Sequence, residues 1–292
     1  MLAIIIPYFK LTFFEATLTS LAAQTCQDFK VYIGNDASPE DPSNLIEKYK
    51  GQFDFSYHRF EDNLGGTSLT KQWERCIALS SNEEWLMILG DDDVLSCNCV
   101  SSFYSNLENI NENNIDVVRF ATFKINELNN KISNKVDHPK IEKSIDFLFR
   151  KSRSSLSEYI FKINKIQEIG LKDFPLAWHS DVLAVLEFSN FDNVFSVNEA
   201  FVEVRISNQS ISGKTSNLKL KNKATFQFYE YLILKKIKLF SNSQKTIIFN
   251  SLNKLYVNDK KNFFIFIKIT IVYLKIKSFK SLLKFYKFIL RK

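Results

Sequence analysis

Glycine and proline are scarce in this chain, with 7 and 5 among 292 residues. So few turn-forming and helix-breaking residues argue against long disordered linkers. The remaining composition, 45% hydrophobic and 24% charged, is that of a globular protein able to bury a core. A chain of this length suits one large domain, or one domain with an appendage.

Cysteine is also sparse. The four cysteines match no zinc-binding spacing, because Cys97-x-Cys99 has no second pair to complete it. We interpret Cys26, Cys76, Cys97 and Cys99 as free thiols of a protein in a reducing compartment.

The sequence lacks any uncharged run of the roughly 18–20 residues that a membrane span needs. Its first residues, MLAIIIPYF, have neither a basic start nor a small-residue cleavage site. We therefore expect a buried strand there rather than a signal peptide.

Acidic residues are nearly missing from the end of the sequence. Residues 217–292 hold 18 of the 39 lysines and arginines but only two acidic residues, Glu230 and Asp259. Residues 1–216 hold 21 basic and 30 acidic residues. A nucleic-acid enzyme is normally basic around its chemistry, so this distribution predicts no nucleic-acid partner.

Apolar runs and helical patterns alternate through the first 120 residues, which predicts an α/β fold with a mainly parallel sheet covered on both faces. In such sheets, ligands bind beyond the carboxyl ends of the strands. The predicted strands are 2–7, 30–35, 53–58, 84–89 and 116–120, with further strands at 158–163 and 201–206. The predicted helices are 12–23, 42–50, 67–80 and 99–110, and a loop leads into a helix over 175–189.

Three consecutive carboxylates, Asp91, Asp92 and Asp93, directly follow the strand at 84–89. Like charges this close raise one another's pKa unless a cation lies among them. Magnesium and manganese bind oxygen ligands, often one or two carboxylates together with phosphate oxygens. The cluster is therefore a candidate metal site that also holds a pyrophosphate. A solvated acidic turn, or the strand-end aspartate of another phosphoryl-transfer fold, remains an alternative.

Four segments in one order carry a resemblance: AIIIPYF (3–9), VYIGNDASPED (31–41), DNLGGTSLTKQWERCIALS (62–80) and EEWLMILGDDDVL (83–95). They resemble the strand-end motifs of family 2 glycosyltransferases with the GT-A fold. Residues 157–188 resemble, more weakly, the region that leads to the family's catalytic base. The resemblance implies a GT-A-like, Rossmann-type catalytic domain over 1–216, followed by a basic helical tail over 217–292.

The resemblance also implies residue roles. Asp36 would bind the nucleotide base, with a helix cap or an Asx turn as the alternative. Asp92 and Asp93 would bind Mn²⁺ or Mg²⁺, in a register uncertain by one residue. Asp181 would be the catalytic base, with a helix-start aspartate as the alternative. The residues expected at the nucleotide sugar are Pro7, Tyr8, Asp36, Ser38, Asn63, Lys71, Arg75 and Asp91.

The sequence departs from the family pattern at several positions. Ala37 stands where the family has glycine, and Ser180 replaces the first residue of an acidic pair that ends at Asp181. In the late segment 204–212, Ser207 stands where a histidine is common, which leaves Arg205 as a phosphate-binding candidate.

The implied reaction is inverting transfer of a sugar from a nucleotide-diphosphate sugar, with UDP expected, to a hydroxyl of a glycan or lipid-linked acceptor. A sugar nucleotidyltransferase is one alternative, but PYFKLTFFEATL lacks the glycine-rich loop that it would need. A non-catalytic, membrane-associated scaffold is the other.

The tail predicts a location. In its last helix, Phe279, Leu282, Leu283, Tyr286, Ile289 and Leu290 fall on one face, opposite Lys277, Lys280, Lys284, Lys287 and Arg291. This pattern predicts docking on an anionic membrane surface, and hence a cytoplasmic protein at the inner face of the cell membrane. Packing of the tail on the catalytic domain or in a homodimer is left open.

Overall fold

The computed structural model describes residues 1–150, 155–207, 217–258 and 262–290. The chain divides into two units. The first comprises Met1–Asp173 and Ser180–Thr215, and the second comprises Phe174–His179 and Ser216–Lys292. Arg291 and residues 208–212 of the late segment, both named above, lie outside the described residues.

Strands and helices alternate at the start of the first unit, where the apolar runs predict them. Short runs rich in Ile, Val, Leu and Phe form the strands, and segments with helical spacing lie between them. These elements are β1 (Leu2–Tyr8), α1 (Phe14–Ala22), β2 (Phe29–Asn35), α2 (Ser43–Glu47), β3 (Asp54–Arg59), α3 (Leu69–Ile77) and β4 (Trp85–Ile88).

The rest of the first unit has shorter strands and helices, except for its long last strand. These elements are β5 (Val94–Leu95), α4 (Cys99–Ser105), α5 (Leu107–Glu112), β6 (Val117–Ile125), β7 (Ile141–Lys143), α6 (Ser144–Phe149), β8 (Tyr159–Lys162), α7 (Ile163–Ile169), α8 (Ser180–Phe188) and β9 (Asn193–Arg205). A single 3₁₀ turn, Leu156–Glu158, precedes β8.

All the strands belong to one sheet, in the order β3-β2-β1-β4-β8-β6-β9-β5, with β7 also paired to β9. The first four strands pair in parallel, as predicted, and β6 is parallel to β9. However, β8 runs antiparallel to β4 and β6, and β5 and β7 run antiparallel to β9. The α/β class is confirmed. The longest pairings of the sheet are parallel, and its antiparallel pairings are short.

Alternate side chains of β1 enter two separate hydrophobic layers. Ile4 and Ile6 belong to one layer, and Ala3 and Ile5 belong to the other. Because successive strand residues point to opposite faces, the central sheet is covered on both sides. The strand ends, rather than the sheet faces, are therefore left for ligands.

The predicted helix over 99–110 is two helices that meet at Asn106. The side-chain amide of Asn106 donates to the carbonyl of Ser102 at 2.8 Å. Its backbone N–H bonds to the carbonyl of Phe103 instead, at 3.1 Å. A side chain that takes the carbonyl four residues back competes with the helical ladder and interrupts it.

The predicted strand over 201–206 is the end of the longer strand β9. Its pairing with β6 shifts between Phe120 and Ala121, whose partners are Val197 and Phe201. Asn198 lies in this bulge, and its side-chain amide donates to the carbonyl of His138 at 2.7 Å. The extra residues break the strand periodicity, which hides the first half of β9 in the sequence.

The second unit is helical. Its helices are α9 (Leu218–Tyr231), α10 (Asn242–Asn258), α11 (Phe263–Lys275) and α12 (Phe279–Leu290). A π-helical turn, Leu232–Lys236, and a 3₁₀ turn, Ile237–Leu239, follow α9, and a further 3₁₀ turn is Pro175–Ala177. Among the helices that the structure describes, none is long and apolar enough to cross a membrane.

The last three helices pack around aromatic side chains. Phe285 of α12 is fully buried and lies 5.9 Å, between ring centroids, from Phe266 and from Tyr273 of α11. The hydroxyl of Tyr273 donates to the side-chain oxygen of Asn253 on α10 at 2.7 Å. These contacts fix which face of each helix turns inward.

Gly34 of β2 gives a direct test of the packing between the sheet and α3. A Cβ at Gly34 would lie 2.3 Å from Sγ of Cys76, so a larger residue must displace the helix. We expect Gly34→Ala to lower the free energy of unfolding by about 1–3 kcal/mol. In a Cys76→Ala background, which removes the sulfur, the same change should cost less. Urea unfolding of the wild type, the two single variants and the double variant measures the coupling between the two positions. Equal losses of unfolding free energy in both backgrounds would refute the crowding.

Candidate active site

The three aspartates after β4 lie beside the loop that follows β1, because these two strands are parallel neighbours. The register pairs Ile5 with Ile88, and the backbone N–H of Leu89 donates to the carbonyl of Ile5. Directly beyond this pairing, Oδ2 of Asp91 accepts hydrogen bonds from the backbone N–H groups of Phe9 and Lys10, each at 2.8 Å. Asp91 therefore joins the ends of β1 and β4.

Asp93 connects the same loop to two other elements. Its Oδ1 accepts from the backbone N–H of Arg205 at the end of β9, at 2.9 Å. Its backbone carbonyl accepts from the hydroxyl of Thr17 on α1, at 2.8 Å. A hydrogen bond with Ser157 also favours the ionised form of Asp93. This aspartate is 5% exposed, so its contacts are largely with the protein.

Arg205 holds the aspartate loop through its guanidinium group. Its Nε donates to the backbone carbonyl of Asp92 at 2.9 Å, and its two terminal nitrogens donate to oxygens of Asn126 and Asn129. The group also lies 4.4 Å from the ring centroid of Phe13. The sequence predicts Arg205 as a phosphate-binding candidate, whereas in the structure its guanidinium nitrogens donate hydrogen bonds to oxygens of the protein.

The electrostatics of the cluster favour a bound cation. Burial, together with the charge of Asp92, raises the pKa of Asp91 to about 7. The same two causes raise the pKa of Asp93 to about 7. Burial also raises the pKa of Asp92, while the charges of Arg205 and Lys10 oppose that rise. A positive ion bound among these three carboxylates would reduce the repulsion between them.

The cluster does not form a protein-only metal cage. Among the described residues, no group of three or more His, Cys, Asp or Glu side chains is arranged to hold a metal ion. Two of the three aspartates already accept hydrogen bonds from backbone N–H groups of other segments. This arrangement fits a magnesium-type site, in which the protein supplies one or two carboxylates and a phosphate supplies further oxygens.

Asp36 and Arg75 form a second charged pair at the end of β2. Asp36 is 4% exposed, and its Oδ1 lies 2.5 Å from a terminal nitrogen of Arg75. The two carboxylate oxygens also accept from the backbone N–H groups of Leu64 and Gly65, at 2.8 and 2.9 Å. A Cβ at Gly65 would lie 2.5 Å from Oδ2 of Asp36, so this approach requires glycine.

Arg75 is itself fixed on several sides. It pairs with Asp62 at 2.7 Å and lies 4.0 Å from the ring centroid of Phe60. Lys71, one turn earlier on α3, is exposed. Asn63 accepts from the backbone N–H of Gly66 at 2.6 Å. Of the residues predicted to contact the nucleotide sugar from this segment, Asn63 and Lys71 are exposed, whereas Arg75 is largely covered by its partners.

The other predicted donor-binding residues shape the loops after β1 and β2. Pro7 is in register with Gly34 in the pairing of these strands. Tyr8 is fully buried, and its hydroxyl donates to the carbonyl of Glu40 at 2.8 Å. The hydroxyl of Ser38 donates to the carbonyl of Phe9 at 2.6 Å.

Ala37 occupies a strained position in the loop after β2. Its φ is 50°, in the left-handed region that glycine adopts without strain. The backbone there has the shape for which the family's glycine is suited, although this chain carries alanine.

Asp181 lies in the first turn of α8, beside a second carboxyl group that the sequence did not reveal. Glu158 is 2% exposed, and its pKa is raised to about 8, chiefly by burial; the charge of Arg119 opposes this rise and the charge of Asp181 adds to it. The neighbouring Ser157 accepts from the backbone N–H of Gly90 at 3.1 Å. The 3₁₀ turn before β8 thus lies between the aspartate cluster and Asp181, and brings both to one end of the sheet.

Glu158 was missed because its pattern has a simpler explanation. Ser155 and Glu158 form a capping box around the 3₁₀ turn, and Ser-x-x-Glu is the usual signature of such a cap.

Arg119 was missed because it lies within an apolar strand. It is fully buried, pairs with Glu142 at 3.0 Å and stacks over Phe147 at 4.5 Å.

Known proteins resemble the chain in a family-wide sequence pattern and in fold. The family model described as "Glycosyl transferase family 2" matches residues 3–166. No curated protein matches the chain in sequence.

Three solved structures share the fold. TarS 1-349 from S. aureus, in complex with UDP-GlcNAc, is 15% identical with a TM-score of 0.63, and the alignment covers 89% of this chain and 74% of that one. TarS 1-349 without a named ligand is 13% identical with a TM-score of 0.64, over 96% and 82%. GalNAc-T7 with UDP, GalNAc and Mn2+ is 10% identical with a TM-score of 0.54, over 86% and 54%. At these identities the likeness shows the fold alone, and it confirms the GT-A-like class.

The contacts of Asp93 predict a structural role that can be separated from metal binding. Asp93→Ala leaves the buried N–H of Arg205 without its acceptor, and should lower the free energy of unfolding by about 1–3 kcal/mol. Asp93→Asn keeps an acceptor oxygen and should cost clearly less. Urea unfolding without added metal measures both variants. Equal losses would show that the charge of Asp93, rather than its oxygen, stabilises the loop.

Proposed function

The chain belongs to glycosyl transferase family 2 and is a glycosyltransferase, and from this premise we propose its donor, its reaction and its catalytic residues. The donor is a UDP-sugar, and the reaction is inverting transfer to a hydroxyl of a glycan or lipid-linked acceptor, assisted by Mn²⁺ or Mg²⁺. The observation that carries this proposal is the cluster of three carboxylates with raised pKa values at the end of β4.

The choice of UDP and of a divalent ion has support from two structural relatives. TarS is solved with UDP-GlcNAc, and GalNAc-T7 is solved with UDP, GalNAc and Mn2+. In this chain, the carboxylates of Asp91 and Asp93 accept hydrogen bonds from backbone N–H groups of other segments. We assign Asp92 as the principal metal ligand, with Asp93 as the second. A bound ion would neutralise charge on the leaving diphosphate.

The pair of Asp36 and Arg75 prepares the nucleotide side of the site. The carboxylate of Asp36 is held by two backbone N–H groups and by the guanidinium. A group fixed in this way loses little freedom when it binds a ligand, which favours a defined position for the base. Lys71, exposed on the same helix as Arg75, is available to a phosphate.

Asp181 is assigned as the general base. It lies at the start of α8, and its charge acts on buried Glu158 beside the aspartate cluster. A carboxylate there can take the proton of an acceptor hydroxyl while that oxygen attacks the anomeric carbon. Because one attack displaces the diphosphate directly, the configuration inverts. Family membership favours this sugar transfer over nucleotidyl transfer.

Donor binding tests the metal assignment. A UDP-sugar with manganese, at a hundredfold excess over its Kd, should stabilise the protein by about 2.7 kcal/mol. Asp92→Asn should abolish the manganese-dependent part of this shift and keep the unliganded melting temperature. Asp137→Asn, at an exposed aspartate remote from the cluster in sequence, is the matched control.

Wild-type turnover of Asp92→Asn with manganese would move the ligand role to Asp91 or Asp93. Absence of nucleotide diphosphate release with every sugar nucleotide would instead support a scaffold.

Turnover tests the base assignment. Asp181→Asn removes the proton acceptor but keeps the size of the side chain, and should reduce transfer by roughly 10²–10⁴-fold. Donor affinity, measured by the same thermal shift, should change little. A comparable loss of donor affinity would place Asp181 on the nucleotide side instead.

A further inference from the structure

One side of α11 presents large apolar side chains to solvent. They recur at 263, 264, 267, 271 and 274, which is the spacing of neighbours on one helical face. Their exposed fractions are 67% for Phe263, 74% for Phe264, 37% for Ile267, 41% for Ile271 and 49% for Leu274. The opposite side carries the buried residues Ile269, Val272 and Tyr273. The exposed residues are therefore not part of the core of the second unit.

Helix α12 repeats this arrangement with fewer residues. Phe279, Leu283 and Leu290 are 67%, 60% and 86% exposed. Its inward side is formed by Leu282 and Phe285. The sequence placed Leu282 on the membrane-facing side, and the structure corrects this, because the inward face is rotated toward Phe285 and its aromatic neighbours.

Basic charge accompanies these faces without any acidic counterpart. Residues 262–290 contain six lysines and no Asp or Glu, and all six lysines are exposed. On α11, Lys268 and Lys275 each follow an exposed apolar residue directly. On α12, Lys280 and Lys284 directly follow Phe279 and Leu283. Both helices thus carry an exposed apolar stripe with lysines along its edge.

We propose that these stripes dock the protein on an anionic lipid bilayer. We call the eight residues named above, on α11 and α12, the apolar stripes. Exposed apolar side chains in such number mark an interaction site. Phe, Ile and Leu beside lysines are the chemistry of an interfacial helix, whose apolar residues enter the acyl boundary while its lysines meet anionic headgroups.

Charge argues against a second copy of this chain as the partner. A self-complementary dimer through the stripes would bring the lysines of both copies together, with no carboxylate within 262–290 of either copy to pair with them. Like charges placed opposite one another oppose association. Anionic lipid offers the missing negative charge.

The proposal is tested with the full chain and vesicles, without donor or metal, so that its outcome is independent of the transferase assignment. Flotation should recover the protein with phosphatidylcholine vesicles that contain about one-third phosphatidylglycerol, and much less with phosphatidylcholine alone. Salt at about 0.5 M should reduce binding to the anionic vesicles, because it screens the lysines.

Two pairs of variants separate the apolar and the charged contributions. Phe264→Ser with Ile271→Ser should weaken vesicle binding by roughly tenfold or more, whereas Leu128→Ser with Ile132→Ser, at exposed positions of the first unit, should not. Lys275→Gln with Lys280→Gln should weaken it by roughly ten- to thirtyfold. Lys48→Gln with Lys50→Gln, which makes the same change in net charge just after the end of α2, should have little effect.

Three results would overturn the docking surface. The first is a wild-type chain that does not float with the anionic vesicles. The second is equal loss of binding in the stripe variants and in their controls. The third is a wild-type protein that does not bind vesicles but forms a concentration-dependent dimer, seen by light scattering and abolished by Phe264→Ser with Ile271→Ser. Unchanged melting temperatures of all variants show that the fold is intact, as expected for exposed positions.

Discussion

The crowding of three adjacent carboxylates at the end of β4, of which Asp93 is buried and the other two are half-buried, is the constraint on which the rest of the site depends. Charges removed from water need hydrogen bonds or opposite charges in return. Asp91 obtains backbone N–H groups from the loop after β1, and Asp93 obtains one from the end of β9. Arg205 holds the loop from a third direction. The hydrogen bonds that the aspartates require thus fix the strand ends, α1 and β9 relative to one another.

The parts of this structure that the sequence predicts are those with a local cause. The buried strands β1, β2 and β4 are short apolar runs, and strand alternation with helices favours parallel pairing. From these two facts it follows that Asp36 and Asp91 lie at the same edge of the sheet. The left-handed Ala37 and the tight approach at Gly65 also correspond to motif positions where backbone shape, rather than side-chain chemistry, decides the residue.

Features that depend on tertiary contacts could not be read from the pattern. The antiparallel direction of β8 is seen only in its pairing with β4 and β6. The local sequence of a strand does not specify the direction of its neighbours. Asn106 interrupts a helix through one side-chain hydrogen bond, although asparagine is common in helices that continue. The sequence pattern of Glu158 is that of a helix cap, and the structure shows this cap, yet burial also raises the pKa of Glu158. In α12, spacing alone allows several inward faces, and contacts of Phe285 select one.

Acidic and basic residues are distributed unevenly along the chain. Residues 1–216 carry an excess of acidic residues, and residues 217–292 carry almost none. Near an anionic bilayer, the acidic excess of residues 1–216 is repelled and the lysines of α11 and α12 are attracted, which favours the proposed contact through the apolar stripes. The metal site that we propose uses carboxylates of residues 1–216, whereas the proposed membrane contact uses lysines of residues 262–290. The two proposed functions therefore depend on charges of opposite sign in different segments and do not compete for the same residues.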